Sequence, residues 1–221
     1  MGRTMKINAI YLDGGPAVTE TSQNDTLTKR KEFLKASLSS LAGQVNFLVS
    51  KSSQDSLTTQ ELIPQADAIK VITMSKPTQG ALATALLPIE LIDSNEPVLL
   101  IPTNSVVNAE ALSDFVSKMV KDGVAAGALL FKSDNPNYSY ARIHNNRVIE
   151  FVEKKVVGNM ATTGVFYFRD KVMLSECAKW AFVNSQITNS QFYVAPSLNY
   201  VLTSGQEVGF SQIDEAKYEH I

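Results

Sequence analysis

Two places in this 221-residue chain turn abruptly from apolar to polar, and chemistry is to be sought at such corners. Val98-Leu99-Leu100-Ile101 is a continuous apolar run that ends in Pro102-Thr103-Asn104-Ser105. Ile7 to Leu12 is a second such run, ending in Asp13-Gly14-Gly15-Pro16. Runs of this kind read as strands buried on both faces of a parallel sheet. Open parallel sheets bind ligands beyond the carboxyl ends of their strands. Paired glycines there allow the backbone to approach a ligand closely, although Gly14-Gly15 reads equally well as a tight turn. Asn104 is an amide where metal-assisted phosphate chemistry wants a carboxylate, since a hard cation prefers charged oxygen. Taken alone, Gln79-Gly80 is a helix start and Glu153-Lys154-Lys155 a solvated, charged strand edge.

The elements that position these corners alternate. Strands are expected over Ile7–Leu12, Val45–Val49, Ala68–Met74 and Val98–Ile101. A helix over Glu32–Leu41 carries Phe33, Leu34, Leu38 and Leu41 at helical spacing, with Gly43 as its stop. Between them, Pro16 to Lys31 is polar and reads as a loop or lid. Gly80 to Ile92 is helix-like but interrupted at Pro88. Asn108 is a suitable N-cap for a helix over Ala109–Asp122, and Gly123 a suitable stop. This βα alternation predicts an α/β fold, a three-layer α/β/α arrangement on a mixed, mostly parallel sheet. Beyond Ala126–Phe131 the pattern changes. Tyr138–Ile143 and Arg147–Glu153 flank His144-Asn145-Asn146, which reads as an inserted β-hairpin. A strand over Gly164–Phe168, a helix around Cys177 and a last helix from about Phe192 to Leu202 complete the reading.

Composition narrows the classes. A net charge of −2 and no basic stripe with interleaved aromatics argue against a nucleic-acid reader. The single cysteine rules out an intramolecular disulfide, and with two histidines it is too small a set for zinc. No apolar run reaches transmembrane length, and the expected location is cytoplasmic.

Three stretches, in order and spacing, resemble the sugar-phosphate nucleotidyltransferases, the nucleoside-diphosphate-sugar pyrophosphorylases and phosphocholine cytidylyltransferases of the capsule and lipopolysaccharide branch. These are Thr78-Gln79-Gly80-Ala81 running on to Val98–Ile101, Ser139-Tyr140-Ala141-Arg142 through Glu153-Lys154-Lys155, and Ala161–Phe168 with Phe192–Pro196 beyond. Leu12-Asp13-Gly14-Gly15 is similar to the family's opening Leu-Ala-Gly-Gly. The resemblance implies a single domain over 1–221, with 6–125 the nucleotide-binding half and 126–221 the acceptor-binding half. In this family a phosphorylated acceptor attacks the α-phosphate of a nucleoside triphosphate and pyrophosphate leaves. The protein's part is to position the phosphates and neutralise their charge.

Residue by residue, the resemblance puts Leu12, Gly14, Gly15, Gln79, Gly80 and Asn104 on the nucleotide. It puts Tyr140, Glu153, Lys154, Thr163 and Gly164 on the acceptor, and makes Lys29 or Lys31 the catalytic lysine. Asn104 stands at the family's metal-binding aspartate, so Mg²⁺ is the implied cofactor. The implied partners are a nucleoside triphosphate or nucleotide-sugar and a small phosphorylated acceptor, without nucleic acid or membrane, and with a homo-oligomer left open. The sequence also departs from the family. Pro16-Ala17-Val18 replaces the expected Gly-Thr-Arg, so the phosphate-binding arginine is absent, and Asp13 adds negative charge beside it. A non-catalytic homologue that keeps the pocket is therefore the alternative. A nucleotide-sugar-dependent glycosyltransferase is a third reading, set against the absence of any Asp-x-Asp triplet.

Overall fold

The computed structural model describes residues 6–13, 28–29, 32–33, 36–37, 44–51, 69–92 and 95–220. The central sheet is built on β1 (Ile7–Asp13), whose residues Ile7 to Tyr11 are all buried. β2 (Gln44–Lys51) and β4 (Val98–Pro102) flank it, both parallel. β3 (Ile69–Met74) follows β2, again parallel. On the far side of β4 lies β9 (Met160–Phe168), antiparallel to β4 and to β6 (Ala126–Lys132). β12 (Val208–Ile213) runs parallel to β6 and completes the order β12-β6-β9-β4-β1-β2-β3. β7 (Ser139–His144) and β8 (Arg147–Glu153) form a hairpin joined to β9 through the Tyr140–Ala161 pair.

Both faces of the sheet are covered, as the continuous apolar runs require. One core gathers Ile10, Leu100, Ala128 and Phe166 under α1 (Ala81–Ala85), α3 (Lys171–Val183), α4 (Val194–Ser197) and α5 (Asn199–Thr203). The other gathers Tyr11, Leu99, Leu129 and Val165 under α2 (Ala109–Asp122), with Phe33 packed in the same core. The result is the three-layer α/β arrangement.

Local sequence rules hold best in α2. The Asn108 side chain accepts a hydrogen bond from the Ala111 N–H at 3.1 Å, and Gly123 closes the helix in the left-handed region at φ 64°. Leu112, Phe115, Val116 and Met119 form its buried face. The hairpin turn is equally local, with Asn145 and Asn146 at φ 48° and 58°, the backbone a two-residue type I′ turn demands.

The expected helix from Gly80 to Ile92 is much shorter. α1 ends at Ala85, the N–H groups of Leu86 and Leu87 reach back three residues, and a 3₁₀ turn follows at Ile89–Leu91. Pro88 has no N–H to continue an α-helix and crowds the residue before it. The expected last helix from Phe192 also begins later and is split into α4 and α5, because Phe192 belongs to a short hairpin of β10 (Ile187–Thr188) and β11 (Gln191–Phe192). β9 starts at Met160 rather than Gly164, and β12, β5 (Ser105–Val107) and β13 (Tyr218–His220) had no sequence expectation. β13 pairs with β5 in a separate antiparallel ribbon.

Candidate functional site

The carboxyl ends of β1 and β4 are laced together by Thr103. Its hydroxyl lies 2.9 Å from an Asp13 carboxylate oxygen and 3.2 Å from the Leu12 carbonyl, and its N–H donates to that same carbonyl. Leu12 thus meets the corner through its backbone, opposite Pro102 in the ladder. Asn104, next in the turn, is half-buried, and among the described residues its side-chain amide forms no hydrogen bond.

β9 reaches the same corner through an irregularity. Its pairing with β6 slips between Ala128 and Leu130, and Gly164 sits at φ 85° in the slip. A Cβ on Gly164 would lie 2.8 Å from Pro102 Cγ, so glycine permits both the backbone angle and the close approach. Thr163 is buried, its hydroxyl donating to the Leu129 carbonyl at 3.1 Å and its own carbonyl accepting from Ser105 at 3.4 Å. Thr163 and Gly164 therefore shape the corner with backbone rather than with a free side chain.

The Gln79-Gly80 turn is held from another direction. Phe192 N–H donates to the Gln79 carbonyl at 2.9 Å, and Gly80, at φ 106°, lies so close that a Cβ would come 2.5 Å from the Phe192 carbonyl oxygen. The Gln79 side chain is exposed beside this contact. One residue on, the ring of Tyr193 lies 5.1 Å from the Lys154 ammonium.

Glu153 ends β8 and Lys154 follows it. Ser139, across the hairpin, donates its hydroxyl to the Glu153 carboxylate. Burial pushes the Glu153 carboxyl up to about 7, against the lowering effect of the Ser139 hydrogen bond and the Lys154 charge. At neutral pH this carboxyl is poised between acid and anion, suited to exchanging hydrogen bonds with a hydroxyl. Lys154 adopts φ 50°, unusual for a side chain of its size, and its N–H donates to the Tyr138 carbonyl at 3.1 Å. Strain of this kind persists where surrounding contacts over-determine it, and it clusters at functional sites.

Other expected residues are placed elsewhere. Tyr140 is wholly buried, its hydroxyl donating to the Asn135 carbonyl at 2.8 Å, so as placed it offers no surface to an acceptor. Its sequence neighbour Ser139, not Tyr140, faces Glu153. Lys29 makes a 2.7 Å ion pair with Glu219 of β13, the strand paired with β5 beyond Asn104. Gly14, Gly15 and Lys31 lie outside the described residues. Thr103, Ser139 and Tyr193 fall in stretches the sequence singled out but carried no expected role of their own, because each makes its contact with a residue distant in the chain.

The implied Mg²⁺ would need oxygen ligands at this corner. Asn104 offers only a neutral amide oxygen, and one oxygen of Asp13 is taken up by Thr103. Among the described residues no group of three or more His, Cys, Asp or Glu side chains could hold a metal ion. Mg²⁺ is usually bound through one or two carboxylates plus substrate phosphates, and of the described residues at this corner only Asp13 is a carboxylate, so position 104 does not fit the implied ion.

The sequence profile described as nucleotidyl transferase matches residues 25–192, well over half of the chain. The chain belongs to the nucleotidyl transferase family. Among curated proteins no sequence matches it. Among solved structures it is similar to a nucleoside-diphosphate-sugar pyrophosphorylase from Vibrio cholerae RC9, with 15% identity and a TM-score of 0.76 over 97% of this chain and 94% of that one. It is similar too to the inositol-1-phosphate CTP transferase of T. maritima, with 17% identity and a TM-score of 0.69 over 100% of this chain and 91% of that one. At such identities these nucleotidyltransferase structures share the fold alone. Among the described residues no helix is long and apolar enough to cross a membrane.

Proposed function

We propose that this nucleotidyl transferase family member binds a nucleotide and a small phosphorylated acceptor but transfers the nucleotidyl group poorly or not at all. The observation that carries the reading is a convergence. The Gln79-Gly80 turn, matched to the nucleotide side, and Lys154, matched to the acceptor side, are bridged by consecutive residues Phe192 and Tyr193. Residues far apart in the chain are thus tied into one framework, and in this reading the ligands lie between it and the carboxyl ends of β1 and β4. In this reading Gln79 and Gly80 take the base or ribose, the Glu153 carboxyl takes an acceptor hydroxyl and Lys154 takes its phosphate. Thr163 and Gly164 form the wall between them.

The loss of transfer follows from charge. The phosphate-loop arginine is absent, and Asn104 is neutral where a carboxylate is expected. Each group that neutralises charge in a transition state is worth ~10²-fold or more. Lys29, the remaining lysine candidate among the described residues, is engaged by Glu219.

Calorimetric titration with nucleoside triphosphates, with and without Mg²⁺, tests the reading beside a pyrophosphate-release assay on a panel of sugar 1-phosphates. The expected result is triphosphate binding without robust release, with Asn104→Asp alone failing to restore release because the arginine is also missing. Vigorous release by the unmodified protein, or by Asn104→Asp, overturns the loss of transfer. Neither binding nor release overturns the whole reading.

A further inference from the structure

Lys154 is held in an unusual way for a cation. Among the described residues no carboxylate forms an ion pair with it, although Glu153 precedes it directly. Its ammonium instead lies over the Tyr193 ring at 5.1 Å, within the range where the ring's negative face attracts a cation. The difference matters chemically. A carboxylate partner consumes the ammonium's N–H donors and competes with an incoming anion, whereas an aromatic face does neither. A lysine fixed in this manner is oriented yet still able to grip phosphate.

The ring is itself well anchored. Tyr193 is half-buried, and its backbone is extended, at φ −91° and ψ 157°, just before α4. Before it, Phe192 is bonded to the Gln79 carbonyl and packs edge-on against Phe182, with ring centroids 4.7 Å apart. After it, Val194 is buried in the core. On the other side the Lys154 backbone is fixed by its N–H bond to Tyr138.

We propose that Tyr193 is a positioning residue of the acceptor site, whose ring holds the Lys154 ammonium in place while leaving its donors open to the acceptor's phosphate. The inference rests on the acceptor reading above and adds to it the residue that prepares the lysine. The phenol hydroxyl has no part in it; the ring face does the holding.

The test uses the full chain with its lysines ¹³C-labelled at Cε, which leaves the ammonium and all three of its N–H donors intact, and inorganic phosphate as probe. Loss of one signal in Lys154→Arg assigns Lys154. Its Cε–H signal is expected upfield of the lysines that face no ring (Lys70, over Phe47, is the other that does) in the unmodified protein and in Tyr193→Phe, and unshifted in Tyr193→Leu. The phosphate concentration that half-moves the signal is expected to rise about three- to tenfold in Tyr193→Leu and to stay unchanged in Tyr193→Phe. An unshifted Lys154 signal in the unmodified protein overturns the inference without recourse to any variant. Equal phosphate midpoints in the unmodified and Leu proteins overturn it while leaving the acceptor reading standing. Phosphate that never moves the Lys154 signal removes both.

Discussion

Glu153 shows how much a single side chain's surroundings decide. Its carboxyl is raised from an ordinary 4.5 to about 7, chiefly by burial. A group whose folded value is raised contributes stability that is fully present below its unfolded value and lost as pH rises through the folded one. The folded protein therefore loses this contribution between about pH 4.5 and 7. Glu153→Gln cannot ionise, so its urea midpoint relative to the unmodified protein is expected to climb as the pH goes from 5 to 8. A relative midpoint that falls over that interval contradicts the buried carboxyl. Cys177 is the opposite lesson. It is wholly buried and pushed up to about 12, which makes it an inert core thiol.

At the scale of elements, the junction between α1 and β11 is the most demanding. Gly80 must hold φ 106° while its α-carbon faces the backbone of Phe192 at a distance no Cβ tolerates. Gly80→Ala meets backbone, which cannot swing aside, and adopts an angle foreign to L-residues. The expected loss is about 3 kcal/mol of unfolding free energy, with the Gln79–Phe192 hydrogen bond broken. Gly158→Ala is the control, since nothing lies within 4 Å of its added Cβ; it is expected to change stability by less than about 0.5 kcal/mol. Denaturant titration of both variants decides, and a neutral Gly80→Ala contradicts the close contact. Gln79-Gly80 read from sequence as a helix start, and Gly80 does flank α1. The reason for glycine there is β11, more than a hundred residues away, and no local pattern announces it.

For the whole molecule, the decisive feature is where β9 lies. A strand from the later half of the chain is hydrogen-bonded between β4, from the earlier half, and β6. Neither half can leave without breaking the ladder of the other. One cooperative transition is therefore expected despite the chain's length, with near-UV and far-UV circular dichroism melting together and calorimetric and van't Hoff enthalpies agreeing. Two separated transitions contradict this coupling.

Local chemistry in the sequence was enough for α2 with its Asn108 cap and Gly123 stop, for the Asn145-Asn146 hairpin and for the buried runs of β1 and β4. Each of these depends on side chains a few residues apart, so their patterns survive in one dimension. The family resemblance, carried by ordered stretches over residues 68–200, was legible for the same reason. Tertiary structure alone decided that Tyr140 serves the core while Ser139 faces Glu153, that Lys29 meets Glu219, and that Tyr193 lies under Lys154. It alone inserted β9 between β4 and β6 and added β12 and β13. These outcomes turn on which distant backbones approach within hydrogen-bonding range, and a side chain's role at such a junction is set by its neighbour in space.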